Sequence, residues 1–306
     1  MPRDRQPKAG IEACAITTTR ALLAFAAFAA FASPAFAEES APQVTQAAQP
    51  APAANHPWEA DQALLDSLQT AVNNGGIMAV QPHASEIEQA LAKAKLTFDI
   101  REGDRIVRYV LTDGQTDMLL AMTLAATEAG KSQGIKQAVA VNNPYPLLSL
   151  YLGSYYNEIG KSADSLRVLD RGLALDGTLA DLGSLGATWP GLMAERGAAL
   201  NALKRYGDAL ADYEQALQAP GLDAGTRALL DRGRGFALTE LGRLDDAEAA
   251  YNDSLKYEPG NEHAEHELQY IANLKRGSAP AAGSLTLAYP PGAPAPQSPA
   301  PANPGH

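Results

Sequence analysis

Residues 196–217 read RGAALNALKRYGDALADYEQAL and residues 234–255 read RGFALTELGRLDDAEAAYNDSL. Laid over one another, Arg196-Gly197, Leu200, Leu203-Lys204, Ala209, Tyr213 and Ala216-Leu217 fall on Arg234-Gly235, Leu238, Leu241-Gly242, Ala247, Tyr251 and Ser254-Leu255. Residues 152–173, LGSYYNEIGKSADSLRVLDRGL, carry the pattern once more in Leu152-Gly153, Tyr156, Ile159-Gly160, Ser165, Leu169 and Gly172-Leu173. Self-similarity of this kind is the signature of stacked helical hairpins. Gly153, Gly197 and Gly235 stand where one helix must closely approach the next, and Ser165, Ala209 and Ala247 do the same on the second helix of each pair. Tyr156, Leu169, Tyr213 and Tyr251 fill the space between. One helix pair cannot bury its apolar face alone, so the pairs stack and a last helix must cover the end. Glu262–Arg276, directly after Pro259-Gly260, suits that capping role.

At these offsets the segments resemble tetratricopeptide repeats (TPRs), over residues 146–179, 190–223 and 228–261. The resemblance implies a mostly α fold, a right-handed α-α superhelix of three TPR helix pairs plus a capping helix, occupying 145–276. It also implies a groove lined by the first helix of each pair, which receives a peptide or a partner helix. On that pattern the groove positions are Leu150, Ser154 and Asn157, then Ala194, Ala198 and Asn201, then Arg232, Phe236 and Thr239, and on the cap His266, Tyr270 and Asn273. The family's clamp for a C-terminal carboxylate needs Lys and Asn where Leu150, Ser154, Glu195, Leu229 and Gly233 stand, so that mode is not expected. What remains is asparagines able to hydrogen-bond a peptide backbone, with Phe236 and Tyr270 able to anchor an apolar side chain. The repeats are unevenly spaced, with an insertion at Ala180–Trp189 and a longer loop around Pro220-Gly221 and Gly225.

Outward toward the N-terminus, residues 58–144 read as a small α+β unit. Trp58–Val72 places Leu64, Leu65, Leu68 and Val72 on one helical face and stops at Asn74-Gly75-Gly76. Ser85 with Glu88 has capping-box spacing for a second helix with an Ile87, Ala90, Leu91, Ala94 stripe. The period then changes: Leu96–Ile100 and Ile106–Leu111 flank Glu102-Gly103-Asp104, a hairpin signal. Thr116–Ala129 returns to helical spacing, and Gln137–Val141 predicts a third short strand.

The ends are of different composition. Arg3, Arg5, Lys8 and Arg20 precede an apolar run, Ala21–Ala32, and Ala35-Phe36-Ala37 offers a small-residue cleavage site, so 1–37 reads as a secretory signal peptide and the mature chain as periplasmic or secreted. A membrane-spanning helix needs roughly 20 apolar residues, and Pro34 closes this run first. Residues 38–57 and 277–306, rich in Ala and Pro, read as disordered linker and tail. The one cysteine, Cys14, falls in the segment expected to be removed, which leaves no thiol for a disulfide, a thiolate metal site or a nucleophile. Removing 1–37 takes four basic and two acidic groups from a chain of net charge −11, leaving −13. An acidic chain without a basic stripe is a poor ligand for nucleic acid. The expected partner is a protein or peptide, with no nucleic acid, no membrane span in the mature chain and no cofactor.

Few residues suggest chemistry. Gly153–Ser162 fails the phosphate-loop count because Tyr155 stands where a glycine is needed. His263 and His266, at helical spacing i and i+3, are weak metal candidates, more simply read as a solvated face of the capping helix. Asp99, Glu102, Asp104, Asp113, Asp117 and His83 are the titratable groups of the α+β unit, and turn or cap roles explain the aspartates more simply than catalysis. A non-enzymatic scaffold or adaptor is therefore expected, the alternative being an envelope enzyme with its site in 77–144.

Overall fold

The computed structural model describes residues 56–114, 135–176 and 186–277. Helix α1 (Glu59–Gly75) buries Leu64, Leu65, Leu68 and Val72, the stripe that helical spacing predicts, and ends at Gly76, whose φ of 70° suits glycine. A 3-10 helix not foreseen from sequence follows, Ile77–His83, with Pro82 inside it and Val80 buried. It runs directly into α2 (Ala84–Lys93) and removes the expected capping box. His83 occupies the N-cap, Ser85 lies inside the helix, and no side chain caps it. The Ala84 N–H donates to the Gln81 carbonyl, so the preceding turn supplies partners that a cap otherwise would. Glu88 is thereby released to accept from the Tyr156 hydroxyl at 2.8 Å and from Arg167 at 2.7 Å.

Strands β1 (Thr97–Glu102) and β2 (Arg105–Thr112) pair antiparallel, Glu102 opposite Arg105. Gly103-Asp104 forms the two-residue turn, with Gly103 at φ 62°. β3 (Ile135–Asn142) lies parallel to β2 and completes a sheet of order β1-β2-β3. The connection a parallel pair requires, with the helix expected at 116–129, lies outside the described residues.

Seven further helices follow: α3 (Tyr145–Glu158), α4 (Ser162–Leu175), α5 (Trp189–Ala202), α6 (Tyr206–Ala216), α7 (Ala224–Glu240), α8 (Leu244–Tyr257) and α9 (Glu262–Lys275). The described residues are thus mostly helical. Helices adjacent in sequence pack in pairs, α3 with α4, α5 with α6 and α7 with α8, and each second helix also packs on the helix that follows it. In addition α3 touches α5, and α5 touches α7.

The glycines explain the close pairing. A β-carbon at Gly153 would stand 2.5 Å from Leu169, at Gly197 2.6 Å from the Tyr213 ring, and at Gly235 2.8 Å from the Tyr251 ring. The turns repeat as well: Gly160, Lys204 and Gly242 adopt φ of 72°, 61° and 73°, and their amides return to Asn157, Asn201 and Thr239. Gly225, expected in a loop, lies in the first turn of α7, which Asp223 caps by accepting from the Thr226 amide at 3.0 Å. Trp189, expected in the insertion, is buried and opens α5.

Among the described residues the core forms two clusters. The first joins α1, α2 and the sheet to α3 and α4, through Leu68, Ile87, Leu111, Leu148, Leu152 and Val168. The second runs through α5 to α9.

Candidate partner-binding face

The first helices α3, α5 and α7, with α9 after them, carry the expected groove positions. Leu150 is 6% exposed, and Ser154, Ala194, Asn201 and Thr239 are also buried. Asn157, Arg232, Phe236 and Tyr270 are half-buried, while Ala198, His266 and Asn273 are exposed.

Several of the polar members are engaged within the protein. Asn157 Nδ2 donates to the Glu195 carbonyl at 3.0 Å and to its carboxyl Oε2 at 2.8 Å. Asn201 Nδ2 donates to the Tyr213 hydroxyl at 3.4 Å, and the Thr239 hydroxyl to the Gly235 carbonyl at 2.9 Å. Arg232 donates to Glu258 at 2.5 Å. Phe236 meets the Tyr206 ring edge-on at 6.4 Å. The surface this face offers therefore comes chiefly from Ala198, Phe236, His266, Tyr270 and Asn273.

Glu195, which sequence reasoning noted only as a departure from the clamp, turns out to be the acid at the α3–α5 contact. Burial pushes its pKa up, while hydrogen bonds from Asn157 and Ser154 oppose the shift. Glu267 on α9 is pushed up to about 7, by burial and then by the charge of Glu240 at the end of α7.

Behind the face, the arginines that precede Gly197 and Gly235 tie the pairs together. Arg196 contacts Asp170 at 2.8 Å and Asp212 at 2.9 Å, and Arg234 contacts Asp231 at 3.2 Å and Asp253 at 3.1 Å. Burial raises Asp212 to about 6 despite Arg196. Of the expected packing residues, Tyr213 and Tyr251 fill their pairs, whereas Tyr156 is half-buried and turned to Glu88 of α2.

In the α+β unit the candidate carboxylates hold structure together. Asp99 accepts twice from Arg108, at 2.6 and 2.7 Å, and Glu102 accepts from the Tyr109 hydroxyl. Asp113 accepts from the Thr188 amide at 2.8 Å, fastening the strand end to the approach of α5. Asp104 is exposed in the hairpin turn, and Asp117 lies outside the described residues. His83 stands 3.7 Å from Glu86. Sequence reasoning missed an aromatic nest, His56 stacked on Trp58 at 4.7 Å with Phe98 and Tyr109 against the indole, because Phe98 and Tyr109 lie some forty to fifty residues further along the chain. Beside it an open depression of about 340 Å³ is lined by Trp58, Gln62, Asp66 and Asn142. His263 is half-buried and His266 exposed, and no group of three or more potential metal ligands exists among the described residues. No helix among them is long and apolar enough to cross a membrane.

Comparison with protein-family models, curated proteins and solved structures returned no match.

Proposed function

We propose that this chain is an exported tetratricopeptide-repeat scaffold or adaptor. Its helix pairs α3/α4, α5/α6 and α7/α8, capped by α9, form a right-handed superhelix whose inner helices receive a segment of another polypeptide. The observation that carries the reading is the threefold recurrence of a glycine seated against a bulky side chain of the next helix, Gly153 on Leu169, Gly197 on Tyr213 and Gly235 on Tyr251. Contact of α3 with α5 and of α5 with α7 supports a row of first helices that a ligand can follow. The use of Asp99, Glu102 and Asp113 in internal pairs favours binding over catalysis in 77–144.

Truncated aromatic anchors typically cost about 1–2 kcal/mol or more of binding. Phe236→Ala and Tyr270→Ala, each measured by calorimetry against a partner isolated from envelope extract, should weaken capture by that amount and leave the circular dichroism spectrum unchanged. Normal binding by both variants would move the function elsewhere. For export, N-terminal sequencing of the protein recovered from the periplasm should begin at Glu38. Recovery of Met1 in a membrane fraction would reject the signal-peptide assignment.

A further inference from the structure

We infer that the joint between α3 and α5 is a proton-operated hinge: with a proton on Glu195 the two helices stay clasped, and loss of that proton parts them. The hinge belongs to the fold and acts whatever ligand the inner face receives.

The joint lies where the two core clusters meet. Leu148, Leu152 and Tyr155 of α3 belong to the first, and Met193, Ala194 and Leu200 of α5 to the second. The seam between these helices is polar, with Ser154 and Asn157 on the α3 side and Glu195 on the α5 side. Glu195 is only 9% exposed, and Asn157 Nδ2 reaches both its carbonyl and its carboxyl, at 3.0 and 2.8 Å. The Oδ1 of the same asparagine is buried and accepts no hydrogen bond. A protonated carboxyl brings an O–H donor to this seam, whereas a carboxylate only accepts. Leu166 and Leu173 of α4 pack against the second cluster, which leaves the α4–α5 contact as the pivot.

The arginines on and around α5 are engaged elsewhere. Arg196 of α5 is taken by Asp170 of α4 and Asp212 of α6. On α4, Arg167 pairs with Glu88 and Arg171 donates to the Leu91 carbonyl. Arg205, ahead of α6, pairs with Asp208. On α7, Arg227 lies over the Tyr257 ring, Arg232 pairs with Glu258, and Arg234 with Asp231 and Asp253. Glu158 of α3 repels the Glu195 anion, and the buried Tyr213 hydroxyl of α6 stays neutral at pH 7. An anion at Glu195 is therefore buried without a counter-charge, a costly state. Burial chiefly raises the Glu195 carboxyl above its ordinary range. The clasp is thus complete in acid and is lost as pH rises through the raised value.

The test uses the full chain with Cys14→Ser and spin labels at Ala163→Cys, beside the α3–α4 turn, and Ala198→Cys on α5, both exposed positions. Label separation, measured by pulsed electron resonance from pH 5 to 9, should shift to longer values with a midpoint above the ordinary glutamate range. Adding Glu195→Gln, whose amide oxygen can still accept from Asn157 and does not titrate, should hold the separation at its pH 5 value throughout. A native separation that does not change with pH, or a change that persists undiminished in Glu195→Gln, would overturn the hinge. Should that variant unfold, carbon-13 titration of the glutamate carboxyls in the unsubstituted chain takes its place. A separation change that shares its midpoint with a high-titrating glutamate supports the hinge, and one with no such glutamate overturns it.

Discussion

Tyr213 lies between two helices that have given up their side chains to admit it. A β-carbon at Gly197 would stand 2.6 Å from its Cζ, and one at Gly233 would also meet the ring, so the ring cannot retreat from one side without striking the other. Gly197→Ala should therefore cost about 1–3 kcal/mol, the range for an overpacked core. Chemical denaturation reads this directly, and adding Tyr213→Leu should recover part of the loss if the two residues are coupled. An unchanged midpoint in Gly197→Ala would mean the ring has room to shift. Gly197 and Tyr213 were legible in the sequence because the same spacing recurs at Gly235 with Tyr251 and Gly153 with Leu169. Gly233 was not, since its contact joins two different pairs and the equivalent place one repeat earlier is Glu195. Arg196 and Arg234 also repeat in the sequence, but their acidic partners sit at different offsets, so only their spatial arrangement reveals the ion pairs.

At the level of elements, periodic features could be read and local substitutes for them could not. The stripe of α1, the Gly103 turn and the third strand follow from period and turn chemistry alone. The start of α2 was misread because Ser85 and Glu88 satisfy the capping-box spacing while the 3-10 helix ahead of them meets the same backbone requirement. Freed from the cap, Glu88 joins three helices: it accepts from Tyr156 of α3 and pairs with Arg167 of α4. Arg167 chiefly, against burial, holds its carboxyl below the usual glutamate range. Both side chains are substantially exposed, so after allowance for screening Glu88→Ala should lower stability by only about 1 kcal/mol. In a double-mutant cycle by thermal melting, Arg167→Ala should add little to Glu88→Ala. Additive losses would show that the pair does not help hold α2 to the repeats. The same joint explains why α1, α2 and the sheet share a core with α3 and α4: Arg171 of α4 donates to the Leu91 carbonyl at 3.1 Å, and Tyr145 of α3 to Asp61 of α1 at 2.9 Å.

At the scale of the molecule, two groups of described acids pull stability in opposite directions with pH. Asp212 at about 6, Glu267 at about 7, and Glu195 and Asp231, also raised, are disfavoured as anions mainly by burial. Between their unfolded values near 4 and these raised values the native state holds more protons than the unfolded chain, so stability falls as pH rises through that window. Glu88, Asp99, Asp223 and Asp253 are lowered, so their contribution is present above the unfolded values and is lost as pH falls below about 4. The chain's net charge of −11 adds self-repulsion on the alkaline side. The melting midpoint should therefore pass through a maximum in mildly acidic buffer and decline toward pH 8, with about 1–2 kcal/mol lost after allowance for solvent screening. The raised group at the candidate site can be isolated from this profile. Glu267→Gln removes an anion that burial and Glu240 disfavour, so it should raise the midpoint at pH 8 and leave it nearly unchanged at pH 5, where the native carboxyl is already protonated. Midpoints recorded by circular dichroism across that range would decide the point. Equal shifts at both pH values would mean that Glu267 acts through packing and carries no repulsive charge at neutral pH.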